Sequence, residues 1–318
     1  VGYSSLYSIT TGEKNTANGS FSLYSNTTGG YNTANGYYSL YSNTTGVRNT
    51  ANGSFSLYSN TTGGLNTANG YEALLSNTTG VYNTANGYEA LYSNTIGVSN
   101  TANGTFSLYN NTTGDNNTAL GYYAGYSSSN YSNSTSIGYS AVRTASNQVR
   151  IGNSSVTSIG GYAWWTNVSD ARFKKNIEEK VIGLDFIMAL RPVTYNLDMD
   201  AIASFNETPD SLRLEESERK AEEILQTGFI AQEVELAAQK LGYDFSGVDA
   251  PKNDKDNYGL RYSAFVVPLV KAMQEMIQEQ RTINQEQRTI NQDQLGMIQS
   301  QKALIKKLEE RISTLEKR

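Results

Sequence analysis

The chain has 318 residues, no cysteine and no histidine, with 25 Lys and Arg against 30 Asp and Glu and a formal net charge of −5. Disulfides, thiolate or imidazole metal sites, cysteine nucleophiles and serine–histidine triads are thereby excluded, and no metal or cofactor is expected. There is no basic face of the kind that binds nucleic acid, and no apolar run approaches the roughly 20 residues that cross a membrane, so neither partner is expected. Charge is also segregated. Residues 1–168 hold only Lys14, Arg48, Arg143 and Arg150 against Glu13, Glu72, Glu89 and Asp115, and the negative balance lies in the remainder.

From the N-terminus the chain repeats every 17 residues. Asn-Thr-Ala-Asn-Gly, or a close variant, begins at Asn15, Asn32, Asn49, Asn66, Asn83, Asn100 and Asn117. Eight residues further on stand Leu23, Leu40, Leu57, Leu74, Leu91 and Leu108, each followed by a tyrosine except at Leu75. Gly2, Leu6 and Tyr7 fit the same template with its start missing, which suggests a piece of a longer fibre. Asn, Thr, Ser and Gly favour turns and local side-chain hydrogen bonds over helix. A 17-residue unit is too short for two helices, so stacked units that bury apolar faces against their neighbours are expected. The two glycine turn signals per unit predict a β-solenoid coil of two short strands and two turns, with Ala and Leu inside and Thr and Asn in ladders. Such a coil has a thin core. Trimerisation with Leu or Tyr at the axis would bury more apolar surface and protect sheet edges.

Residues 133–168 read as the end of the β-stack and a neck. Asn133 to Ala141, Asn-Ser-Thr-Ser-Ile-Gly-Tyr-Ser-Ala, resembles the head repeat of YadA-type trimeric autotransporter adhesins, which implies a left-handed parallel β-roll of three chains; the main repeats depart from it in length and in the residue before glycine. Gln148 to Trp165 predicts a few short strands, with Trp164 and Trp165 packed as a cap.

Next comes Ser169-Asp170-Ala171-Arg172-Phe173-Lys174-Lys175-Asn176-Ile177, on the boundary between the uncharged repeat and a charged segment. A serine hydroxyl attacks an amide only when a base takes its proton, and without histidine that base is lysine. A serine–lysine dyad works where burial leaves the amine neutral. Ser169 and Lys174 are five apart and converge if the chain turns at Asp170 to Arg172. The alternative is an ordinary capped turn with solvated lysines.

The nonapeptide resembles the self-cleavage motif of the intramolecular chaperone domain of phage endosialidase tailspikes and other tail fibres. Further similarity follows in the order that family shows, at Leu184 to Tyr195, at Thr227 to Val234 and at Tyr258 to Tyr262. The resemblance implies an α+β domain that aligns three chains and is then cut off. In it Ser169 attacks the carbonyl of Val168, Lys174 is the general base, Asp170 and Arg172 orient the turn, and Asn176 is a candidate hydrogen-bond donor.

Residues 263–318 predict one long helix. Met276, Ile283, Ile290, Met297 and Leu304 recur every seven residues, with Gln280, Gln287 and Gln294 at the second seam position, and the seam then shifts to Ile305, Leu308, Ile312 and Leu315. Polar seam residues weaken a coiled coil but fix its register and oligomer state. The expected organisation is thus β-solenoid repeats over 1–132, β-roll end and neck over 133–168, an α+β chaperone domain over 169–262 and a trimeric coiled-coil helix over 263–318. The resulting expectation is an extracellular or virion-borne homotrimer, a tail fibre contacting a host-surface glycan or receptor, with a bacterial surface adhesin as the alternative. Two lesser readings remain. Glu72 and Glu89, equivalent in adjacent units, could pair as glycan-cleaving carboxylates, and regular threonine arrays could bind ice.

Overall fold

The computed structural model describes residues 2–127 and 130–316. Nine three-residue strands form one parallel sheet in chain order: β1 Thr16–Asn18, β2 Thr33–Asn35, β3 Thr50–Asn52, β4 Thr67–Asn69, β5 Thr84–Asn86, β6 Thr101–Asn103, β7 Thr118–Leu120, β8 Thr135–Ile137 and β9 Val149–Ile151. A 3₁₀ turn at Ala171–Phe173 follows, then helix α1 (Leu184–Ala189), β10 (Val193–Tyr195), α2 (Met199–Phe205), α3 (Glu215–Glu222), β11 (Gln226–Gly228), α4 (Ala231–Lys240), β12 (Val248–Asp249), β13 (Gly259–Leu260) and the 51-residue α5 (Val266–Glu316).

The register of the sheet is the register of the sequence repeat, with Thr50 on Thr67, Ala51 on Ala68 and Asn52 on Asn69. The N-terminal region is therefore a parallel β-solenoid. Inside it run a ladder of strand alanines (Ala34, Ala51, Ala68, Ala85, Ala102) and a ladder of leucines (Leu23 to Leu108), all fully buried. A third row is polar: the buried Asn60 amide donates to Asn43 Oδ1 at 2.8 Å and to Gly63 O at 2.9 Å, and Asn43 and Asn77 repeat the pattern. Buried amides need such partners, because an unsatisfied one costs about 1–3 kcal/mol.

Two expectations about the coil are corrected. Only one strand per coil forms, because residues such as Phe55 and Leu57 take left-handed φ values of 60° and 51° and cannot continue an extended segment. Each such L-residue costs roughly 1–2 kcal/mol. The cost is offset by hydrogen bonds between coils, for example Leu57 N–H to Ala73 O at 3.0 Å. The leucines are also not available for a trimer axis, since a single chain already encloses them. The aromatics lie outside in stacked rows, such as Tyr7, Tyr24, Tyr41 and Tyr58 with ring centroids 5.0, 5.2 and 5.3 Å apart.

The chain divides into two compact units. One comprises Val1–Trp165, Thr194–Gln226 and Pro251–Asn257. In it the solenoid's last coils meet the later segments: the Tyr139 hydroxyl donates to Leu212 O at 3.1 Å and Asn253 Nδ2 to Thr144 O at 3.1 Å. Trp164 and Trp165 do not cap the stack, being 97% and 85% exposed, and of the strands expected over 148–165 only β9 forms. The other unit comprises Thr166–Val193, Thr227–Ala250 and Tyr258–Arg318. Its core joins Phe186 of α1, Val234, Ala237 and Ala238 of α4, Phe245 and Phe265. Beyond that core α5 continues with its apolar residues exposed.

Candidate functional site

The nonapeptide folds as the sequence order suggests. Asp170 caps the 3₁₀ turn by accepting from Arg172 N–H at 2.9 Å. The Arg172 guanidinium closes a fork on the same carboxylate, with Nε at 3.0 Å and Nη2 at 2.6 Å from Oδ2. The paired Arg172 side chain, then its backbone N–H, hold the Asp170 carboxyl below the usual carboxylate range. This turn brings the ends of the motif together, and Lys174 Nζ donates to Ser169 Oγ at 2.9 Å. The same distance serves a proton moving from hydroxyl to a neutral amine.

Ser169 and Lys174 are both exposed, and Val168, whose carbonyl precedes Ser169, is 83% exposed. Asn176 takes a left-handed φ of 54° and is not hydrogen-bonded to either member of the pair. Glu72 and Glu89 replace the aromatic residue of their coils at left-handed positions beside Tyr71 and Tyr88. A hydrogen bond to Glu89, followed by burial, pushes the Tyr88 hydroxyl up to about 12.

The comparisons bear on this segment. Residues 169–243 match the family described as "Chaperone of endosialidase", a match that starts at Ser169 and covers less than half of the chain. The chain therefore carries that chaperone domain after its β-solenoid. Neither the curated proteins nor the solved structures contain a significant match. Among the described residues no cluster of Asp and Glu could hold a metal ion, and no helix is long and apolar enough to cross a membrane.

One cluster escapes sequence reasoning. Asp256, whose side chain is 4% exposed, accepts from Thr144 Oγ1 at 2.5 Å, Gln148 Nε2 at 3.2 Å and the Lys252 and Asn257 N–H groups, with Arg150 Nη2 at 3.8 Å. Burial works against its charge, but the hydrogen bonds from Thr144, Lys252, Gln148 and Asn257 outweigh it and hold the carboxyl below its ordinary value. These partners lie on opposite sides of the Val168–Ser169 bond in sequence. The only advance signal was that Arg150 is one of four cations in an otherwise nearly uncharged half.

Proposed function

We propose that the chain is a homotrimeric, phage tail fibre-like protein whose C-terminal chaperone domain registers the solenoid repeats and is then severed at Val168–Ser169. The observation that carries this reading is the 2.9 Å approach of Lys174 Nζ to Ser169 Oγ on a turn pinned by Asp170 and Arg172, at the first residue of the chaperone match. Ser169 Oγ attacks the Val168 carbonyl carbon as Lys174 takes the hydroxyl proton. The Val168–Ser169 C–N bond then breaks, the Ser169 nitrogen leaves as an amine after protonation, and water hydrolyses the resulting ester to free the Val168 carboxylate. Asp170 and Arg172 orient the turn and take no proton.

Trimerisation is supported by α5, where Ile283, Ile290, Leu304, Leu308 and Ile312 are about half exposed at seam spacing. It also answers the exposure of the dyad. A lysine serves as base where water is excluded, so neighbouring chains must cover Lys174 before it can act, which ties cleavage to completed assembly. Near-identical coils could otherwise pair one repeat out of register at little cost, and removing the covalent link after registration traps the fibre kinetically. Release is a separate step. Asp256 and Leu212 stay bonded to Thr144, Gln148 and Tyr139 across the cut, so the pieces part only when that packing opens.

The exposed tyrosine rows support binding of a host-surface glycan, and with it a location on a virion or outside the cell. The adhesin-like coil at Asn133 to Ala141 favours a bacterial surface adhesin as the second reading. A denaturing gel of the purified chain beside Ser169→Ala and Lys174→Ala tests the central step. Two wild-type bands near half of 34.8 kDa, replaced by one full-length band in both variants, are expected; a full-length wild-type band from a verified trimer would refute the cleavage.

A further inference from the structure

The last full coil of the solenoid breaks the leucine ladder. By the inter-coil hydrogen bonds, Gly125 stands where Leu91 and Leu108 stand in earlier coils, its N–H reaching Ala141 O as theirs reach Ser107 O and Ala124 O. The room is taken by Arg143. A Cβ on Gly125, which has φ of 67°, would lie 2.9 Å from Leu108 Cδ2 and 3.2 Å from Arg143 Nη1. Arg143 is 1% exposed, one of the largest fully buried side chains of the molecule.

Its guanidinium is poorly matched by protein. Nη2 donates to Asn111 Oδ1 at 3.4 Å, capping the end of the buried asparagine ladder, while Nε and Nη1 have no partner among the described residues. The buried hydroxyls of Tyr126, Ser127 and Ser136 are also unpartnered. Ser136 Oγ sits 3.4 Å from the same point above Gly125, and Tyr126 and Ser127 line with Arg143 a cavity of about 400 Å³. Glu207 lines that cavity too, but its carboxylate takes Lys255 at 3.2 and 3.4 Å. Among the described residues no carboxylate bonds to Arg143. Burial lowers its pKa to about 10, with Tyr131 working the other way, so it stays charged at neutral pH.

A buried cation without a counter-charge is strongly disfavoured, and water can fill hydrogen bonds but cannot neutralise charge. We propose that this pocket is a binding site for one small monovalent anion, a halide or a single carboxylate group, held by Arg143 Nε and Nη1 together with the hydroxyls of Tyr126 and Ser127. The anion completes the core where the leucine ladder stops and stabilises the C-terminal end of the solenoid.

Thermal unfolding of the intact chain, followed in sodium chloride, sodium acetate and sodium isethionate at equal ionic strength, tests the site. A saturable rise of roughly 5 °C is expected with chloride or acetate over isethionate. Chloride alone points to a free halide, and acetate alone to the carboxylate of a larger ligand. Arg143→Met, whose long apolar side chain fills the same room, should abolish the difference. Should that variant fail to fold, bromide-soaked crystals of the wild type decide, with an anomalous peak expected beside Nε and Nη1. The same melting point in all three salts, an undiminished rise in Arg143→Met, or, where chloride raises the melting point, no bromide peak would overturn the assignment and leave the pocket to water.

Discussion

The solenoid and the long helix α5 solve the backbone problem in opposite ways. In α5 each N–H finds its partner four residues back, so the 51-residue element needs no neighbour for its main chain but leaves its apolar seam exposed. In the solenoid most backbone hydrogen bonds run to a neighbouring coil, while leucine and alanine are enclosed by a single chain. One region takes its backbone partners from neighbouring coils, and the other leaves its apolar side chains exposed. The solenoid should therefore be intolerant of local backbone change and the helix sensitive to assembly.

Glycine substitutions give the largest contrast. Gly53 has φ of 142°, and a Cβ there would lie 2.3 Å from Gly70 O in the next coil. Gly53→Ala should cost about 4 kcal/mol or more and uncouple the coils on either side, visible as a lost unfolding transition or a new protease cut. Gly296, inside α5 with nothing within 4 Å of its Cβ position, should behave oppositely. Gly296→Ala is expected to stabilise the helix by about 1 kcal/mol, and destabilisation would show that a neighbouring chain packs on that glycine.

Core truncation sharpens the comparison. Leu57→Ala removes a fully buried side chain and should cost about 2–5 kcal/mol at any protein concentration. Ile290→Ala should be nearly neutral in a dilute single chain and destabilising in the proposed trimer, so the gap between its melting point and the wild type's should shrink as protein concentration is lowered. Concentration-independent unfolding of both wild type and Ile290→Ala would argue against a coiled coil.

How much of this was legible depends on where each contact is written. The ladders are written in the repeat, because Ala51 sits on Ala68 and Leu57 follows Leu40 by one period. The contact between Ser169 and Lys174 was legible because the two lie within one turn. The left-handed residues were not, since Phe, Glu and Leu at those positions look like ordinary strand residues. Only afterwards does it stand out that Phe55, Glu72, Glu89 and Phe106 share a position without a β-branched side chain. Trp164 and Trp165 misled because aromatic content suggested packing where the structure leaves them in solvent. Asp256 was invisible because its partners Thr144 and Gln148 are 112 and 108 residues away.

That carboxylate gives a graded prediction about release. Its folded pKa lies below the ordinary value of 3.8, so its stabilising contribution is complete above that value and is lost as pH falls through the depressed one. If the chain is cut as proposed, its fragments should co-elute at pH 7 and separate increasingly as pH drops below 3.8. Asp256→Asn should weaken co-elution at pH 7 and flatten the acid dependence. Unchanged co-elution and an unchanged acid profile in that variant would mean that other contacts hold the pieces together.

The smallest effect belongs to the solenoid's outer face and separates the two glutamates from the aromatics they replace. Tyr88 hydrogen-bonds to Glu89, which favours the neutral phenol and pushes its pKa up to about 12 against the ordinary 10.0. A raised folded pKa means that the contribution is intact below 10.0 and is lost as pH rises toward 12. In a tyrosinate absorbance titration Tyr88→Phe should remove a late-ionising component, and Glu89→Gln should move that component back toward the bulk of the tyrosines. If Glu89→Gln leaves the late component in place, the glutamate does not bond to Tyr88 and points toward solvent or a ligand. That result would revive the reading of Glu72 and Glu89 as working carboxylates, which the Tyr–Glu pairing at present makes unnecessary.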